Sequence, residues 1–155
     1  MYDPFKRFDK DWALVTAGTK EDFNTMTVSW GSLGTLWSRP IVTVYVKKCR
    51  YTYGYMNDSD YFTVSFYDEK YRKDLTVLGT KSKRDGDKLA LTDLHPEYLD
   101  KAITFKEAEF TYVCKKIYMQ DFDTDAMPED IREHYYSKEP VHRMYIGEVV
   151  DIIKK

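Results

Sequence analysis

Long apolar runs are missing from this chain of 155 residues. Nothing in it approaches the roughly 18–20 consecutive apolar residues that a membrane-spanning helix needs. Cysteine is scarce: Cys49 and Cys114 stand far apart, without the paired spacing of a metal site. Idle or buried thiols in a reducing compartment are therefore expected. The opening Met1-Tyr2-Asp3-Pro4-Phe5-Lys6-Arg7 lacks the apolar core of a secretory signal, so a soluble, cytoplasmic protein is expected. A basic excess is lacking too. With a net charge of -2 and a pI near 5.9, the chain does not carry the footprint of a general nucleic-acid binder. Reactive motifs are equally absent. There is no GxxxxGK[ST] phosphate loop, no Ser-His-Asp order, no nucleophile elbow and no convincing carboxylate pair. Asp121-Phe122-Asp123-Thr124-Asp125 begins like a calcium loop. Ala126 then stands where glycine is needed, and Arg132 where a bidentate glutamate is needed. Any difficult chemistry would have to be brought by a cofactor.

What is present reads as one domain spanning 1–155, long enough for a sizeable core. No repeat, low-complexity stretch or linker interrupts it. Aromatic residues make up 16% of the chain and 14 of them are Tyr, which suits half-wet pockets and interfaces as well as plain strand filling. Strands are expected at Ala13–Gly18, Thr25–Trp30, Ile41–Val46, Tyr61–Phe66 with Tyr67, and Met144–Ile152, from runs of β-branched and aromatic residues. Ile103–Phe110 and Tyr112–Asp121 alternate like a hairpin or one bent strand. Short helices are expected over Tyr51–Met56, over Glu69–Gly79 with Gly79 as its stop, and after Pro128, ending before Pro140. Connections are too short for repeated βαβ crossovers. The expected fold is mainly β with minor α, an antiparallel barrel with short flanking helices.

Asn24-Thr25-Met26-Thr27-Val28-Ser29-Trp30-Gly31 is the most informative stretch. Period two puts Met26, Val28 and Trp30 on one face and the hydroxyls of Thr25, Thr27 and Ser29 on the other. A flat polar ligand could lie beside such a row, with Gly31 and Gly34 permitting close backbone approach. Lys47-Lys48-Cys49-Arg50-Tyr51-Thr52 brings cations to the start of a short helix, where an anion such as phosphate is favoured and Arg50 and Thr52 are the direct contacts. A solvated strand end with a hydroxyl cap is the plainer reading. Thr80 to Lys88 holds four cations around Asp85-Gly86-Asp87, a turn that either holds a phosphate or is a solvated charge run. Among the histidines, His142 before the last strand is the one placed to meet a ligand rim. His95 reads as loop and His134 as an exposed helical residue.

In their order and spacing these segments resemble the flavin reductase-like family of FMN-binding split barrels, including the flavoredoxin type. The carriers are Asn24 through Gly31, Arg39-Pro40 entering the next strand, Arg50-Tyr51-Thr52, Phe62-Thr63-Val64-Ser65-Phe66, the Lys81–Lys88 loop, and His142 through Val149. The resemblance implies an antiparallel split β-barrel forming a homodimer, with FMN near the interface. It implies that Asn24, Thr25, Met26, Thr27, Ser29 and Trp30 line the flavin ring. It further implies that Arg50 and Thr52 hold the phosphate and that Lys81, Ser82 and Lys88 close over it. It also places His142 near the flavin or a nicotinamide. One departure stands out. Where relatives often read Ser-Gly-Arg or Ser-Gly-Lys before Asp-Gly-Asp-Lys, this chain has Ser82-Lys83-Arg84. A positive φ at Lys83 would cost about 1 kcal/mol or more.

The activity implied is hydride transfer from NADH or NADPH to FMN, with electrons passed on to an acceptor such as a redox partner protein. No side chain of the chain itself need act as general acid or base. An FMN electron carrier without nicotinamide turnover is the second reading. A non-redox barrel binding nucleic acid through Lys47, Lys48, Lys81 and Arg84 is the third, disfavoured by the overall acidic balance.

Overall fold

The structure, a computed structural model, describes residues 3–155. Among these residues nine strands and four α-helices follow one another, with short 3-10 turns between some of them: α1 (Lys6–Asp9), β1 (Ala13–Gly18), β2 (Phe23–Val28), β3 (Gly31–Leu36), β4 (Arg39–Lys47), α2 (Thr52–Asp58), β5 (Tyr61–Phe66), α3 (Arg72–Thr80), β6 (Pro96–Tyr98), β7 (Ile103–Phe105), β8 (Phe110–Asp121), α4 (Glu129–Tyr136) and β9 (His142–Lys154). Seven strands form one antiparallel sheet in the order β2-β1-β5-β8-β9-β4-β3. Its two outer strands, β2 and β3, are consecutive in the chain and joined only through Ser29 and Trp30. The sheet therefore curls until its edges meet at that joint. Beyond the joint β2 and the end of β4 stay apart, so the barrel is closed at one end and split at the other, with α2 across the gap.

Alternation explains which residues face inward. Ala13, Val15 and Ala17 of β1 join Val42, Val44, Val46, Phe62, Val64 and Tyr145 inside the barrel. Leu14, on the opposite face of β1, packs with Leu75 and Leu78 of α3 and with Leu94 and Phe105. Each such fully buried aliphatic or aromatic side chain contributes roughly 1.5–3 kcal/mol. Among the described residues no buried side-chain polar atom lacks a partner. Register shifts at Val113/Cys114 and Lys116/Tyr118 let the long strand β8 bend around the barrel.

Several expectations need correction. The strand at Thr25–Trp30 runs two residues earlier, and Gly31–Leu36 is a strand of its own. Two glycines weaken its local signal, but pairing with β4 supplies what propensity does not. The segment Ile103–Phe110 and Tyr112–Asp121 form neither a hairpin nor one strand: β7 pairs with the unforeseen β6, and β8 with β5 and β9. Gly79 does not end its helix, which continues through Thr80. A Cβ at Gly79 would lie 3.1 Å from Thr27 Cβ, so the missing side chain lets α3 sit against β2. The final strand begins at His142 itself.

Candidate functional site

The split between β2 and β4 holds two adjoining cavities. One, of about 220 Å³, is lined by Met26, Thr27, Val28, Ser29 and Trp30 along β2, by Tyr45, Lys47 and Arg50, and by His142. The other, of about 150 Å³, lies between the start of α2 and the segment after α3. It is lined by Asn24, Met26, Cys49, Arg50, Tyr51, Thr52, Thr80, Lys81, Ser82, Arg84, Asp85 and Lys88. Met26 and Arg50 line both, so the cavities form one elongated cleft. Every residue that the family resemblance assigned to the flavin lies along it except Thr25.

The strand β2 has a partner on one side only, leaving its other backbone edge toward the cleft. The hydroxyls of Thr25 and Thr27 turn into the fold. Thr25 shares a 2.8 Å hydrogen bond with Thr16 and donates to the Val15 carbonyl at 3.1 Å. Thr27 donates to the carbonyl of Leu75 on α3. These hydroxyls anchor β2 to the fold, and the face toward α2 is that of Asn24, Met26 and Val28. Asn24 donates to Thr52 Oγ1 at 2.9 Å and so ties β2 to the first turn of α2.

The cation end is assembled from two distant segments. Arg50 leaves the β4–α2 turn and donates to the carbonyl of Gly79 at 3.2 Å, bridging to the end of α3. Its two lysine neighbours have carboxylate partners: Lys48 pairs at 2.6 Å with Asp121, which Arg143 shares, and Lys47 lies 3.8 Å from Glu139. Lys83 likewise pairs with Asp22 at 2.7 Å and donates to the Phe23 carbonyl and the Tyr55 hydroxyl. It lies in a helical turn with no positive φ, so the predicted strain at this departure from the family pattern does not arise. Gly86, at φ 130, takes the unusual backbone conformation instead. Arg50, Lys81, Arg84 and Lys88 remain around the smaller cavity with no ion pair among the described residues, against the single carboxylate of Asp85. Ser82 Oγ accepts from the Arg84 amide at 3.2 Å and keeps its own hydrogen to donate. Lys88 is only 5% exposed. Burial first, then the nearby charges of Arg50 and Lys83, lower its pKa to about 8. A buried cation facing further cations calls for an anion. Because α2 has only seven residues, these side chains, more than its dipole, supply that attraction.

The opposite end is aromatic. Trp30, half exposed, meets Tyr135 of α4 edge-on at 5.4 Å and His142 at 5.3 Å. The Tyr136 hydroxyl bonds His142 Nδ1 at 2.7 Å, and Phe122 packs against Tyr45, Tyr136 and His142. Burial, and secondarily the charge of Lys47, lowers the His142 pKa to about 4. The imidazole is therefore neutral near pH 7. Sequence reasoning passed over Tyr45, Tyr135 and Tyr136. The available signal was the adjacent pair Tyr135-Tyr136 at the end of a helix, whose side chains diverge by about 100° and so reach two neighbours at once. His134 is exposed, and His95 pairs with Glu107 away from the cleft.

The sequence model described as "Flavin reductase like domain" matches residues 5–155. No curated protein matches the chain in sequence. Similar solved structures include flavoredoxin from Methanosarcina acetivorans, at 21% identity and a TM-score of 0.72, covering 94% of this chain and 68% of that one. An FMN-binding protein from Thermus thermophilus with bound p-hydroxybenzaldehyde is 17% identical with a TM-score of 0.74, covering 100% and 77%. Nitrilotriacetate monooxygenase component B from Bacillus cereus is 21% identical with a TM-score of 0.72, covering 92% and 68%. At these identities the likeness is one of fold.

Proposed function

The chain belongs to the flavin reductase-like domain family, and on that premise we propose that it is a single-domain FMN-binding oxidoreductase that takes hydride from NADH or NADPH. The observation that carries this reading is the shape and charge of the split. A narrow cleft along a strand edge ends in four unpaired cations, which fits a flat ring with a phosphorylated tail. The names of similar structures, which include flavoredoxin, an FMN-binding protein and a putative flavin reductase, support the same cofactor.

In this reading Arg50, Lys81, Arg84 and Lys88 hold the phosphate, with Thr52 and Ser82 hydroxyls as donors. Asn24, Met26, Ser29 and Trp30 flank the ring, while Thr25 and Thr27 contribute through the strand backbone that their hydroxyls anchor. Bound FMN would supply a hydride acceptor and a route for electrons to a second acceptor. The protein's part is positioning and electrostatics. Lys47 and Arg50 favour negative charge beside the larger cavity, and Trp30, Tyr135 and neutral His142 keep its far end apolar. Neutral His142 can accept or donate a hydrogen bond without adding charge. A homodimer is part of the proposal, and sedimentation of the purified protein tests it.

The deciding experiment is an absorbance spectrum followed by titration with FMN and steady-state oxidation of NADH and NADPH. One FMN per chain with turnover supports the proposal. A protein that ignores FMN at high concentration overturns it. Stoichiometric FMN with no turnover on either nicotinamide assigns the chain to electron carriage, the reading the flavoredoxin likeness favours.

A further inference from the structure

Lys88 is placed by the turn before it. Gly86, at φ 130, lets the chain reverse between Asp85 and Asp87, and the next side chain enters the protein instead of solvent. Its Nζ finds only two carbonyls at the end of α3, Leu78 at 3.3 Å and Lys81 at 3.4 Å. No carboxylate is within ion-pair distance among the described residues. The groups facing it come from every side. The β4–α2 turn brings Arg50 and the Cys49 thiol, and α2 brings Thr52. The end of α3 and the following loop bring Lys81, Lys83, Arg84 and Asp85, β2 brings Asn24, and the Tyr51 phenol lies beside them. On its other side Lys88 lines a neighbouring cavity with Glu21 and Asp22 of the β1–β2 hairpin and with Asp87, none of them within ion-pair distance of its Nζ among the described residues. Lys83 is compensated by Asp22, and Asp85 is exposed and unpaired. The deepest cation of the cleft thus has two carbonyls and, among the described residues, no ion pair.

Resting on the FMN reading, we propose that Lys88 makes phosphate binding proton-coupled: the phosphomonoester is bound by the ammonium form, and an empty site holding the amine takes a proton from solvent as the ligand enters. The step is Lys88 amine plus one proton plus phosphate dianion giving an ammonium–phosphate pair, with no bond of the ligand broken. In the flavin-free protein burial and the Arg50 and Lys83 charges hold Lys88 down to about 8. A bound dianion offsets those charges and returns the group to its ammonium form. The phosphate itself, with a second pKa of about 6, stays dianionic above neutral pH. Affinity for FMN then falls about tenfold between pH 7 and pH 9. Riboflavin, which has no phosphate, does not follow.

The test is titration of the intact protein with FMN and with riboflavin at pH 7, 8 and 9, followed by flavin fluorescence. Calorimetry at pH 8.5 in two buffers of different ionisation heat then counts protons. The expected result is a tenfold loss for FMN alone, with net proton uptake on FMN binding. Lys88→Arg, whose charge does not titrate in this range, should flatten the FMN profile. FMN bound at pH 7 with a profile parallel to riboflavin, or without proton uptake, overturns the role of Lys88 and leaves the FMN reading standing. Absence of any flavin binding overturns both.

Discussion

Arg50 shows what a single residue contributes and what it does not. Its guanidinium reaches Gly79 across the split and lines both cavities, so it can serve a phosphate while holding two segments together. Losing one charge-assisted contact of about 1.5–3 kcal/mol should weaken FMN binding about 10- to 100-fold in Arg50→Ala. Riboflavin should lose much less, and equal losses in the paired titrations would remove Arg50 from the phosphate. His142 makes a second residue-scale case. Its pKa is about 4 in the fold against an ordinary 6.5, so below pH 6.5 the unfolded chain binds a proton that the native state refuses. Stability is therefore lost as pH falls from about 6.5 to about 4, by on the order of 1–3 kcal/mol. Denaturation midpoints at pH 7 and 4 should show this loss in the natural protein and a smaller one in His142→Gln. The sequence singled out Arg50 and His142, and both line the cleft. Their partners were not legible there, because Gly79 and Tyr136 are brought to them by packing.

Among the elements, the loop between α3 and β6 decides how the cation end is built. The sequence marks it as charged and turn-rich, with four cations that look interchangeable. In the fold they divide. Lys83 is a latch to the β1–β2 hairpin through Asp22 and to α2 through Tyr55, while Lys81, Arg84 and Lys88 stay at the cavity. Lys83→Ala should therefore speed FMN release several-fold in stopped-flow experiments while moving the thermal midpoint little, since an exposed ion pair contributes only about 0–1 kcal/mol. An unchanged release rate would show that the loop holds its place without the latch. The strand β2 carries a similar lesson. Its alternation was readable from the sequence, but the engagement of the Thr25 and Thr27 hydroxyls within the fold was not, because α3 offers them Leu75 and β1 offers them Val15 and Thr16.

For the whole molecule, closure of the barrel is the organising event. At Gly147 the β9 backbone passes so near the interior that a Cβ would lie 2.6 Å from both Cys114 Cβ and Phe62 Cζ. Gly147→Ala should cost about 1–3 kcal/mol through overpacking, seen as a lower denaturation midpoint. An unchanged midpoint would mean that the barrel wall yields there. The same closure lets an acidic chain carry a basic site. A net charge of -2 is spread over the surface, while pairing with Asp22, Asp121 and Glu139 removes some cations and leaves others gathered at the split.

The sequence alone determined that strands dominate and which family the chain belongs to. Those conclusions depend on composition, on period-two patterning and on residues in a fixed order along the chain. Only the tertiary structure decided that β2 and β3 meet at Ser29 and Trp30, that Arg50 reaches the end of α3, and that Lys88 lies buried without an ion pair among the described residues. Each of those brings together residues that are remote in sequence or sets how far a charge is removed from water. Charge pairing, desolvation and the choice of strand face are properties of neighbours in space, and a linear pattern does not contain them.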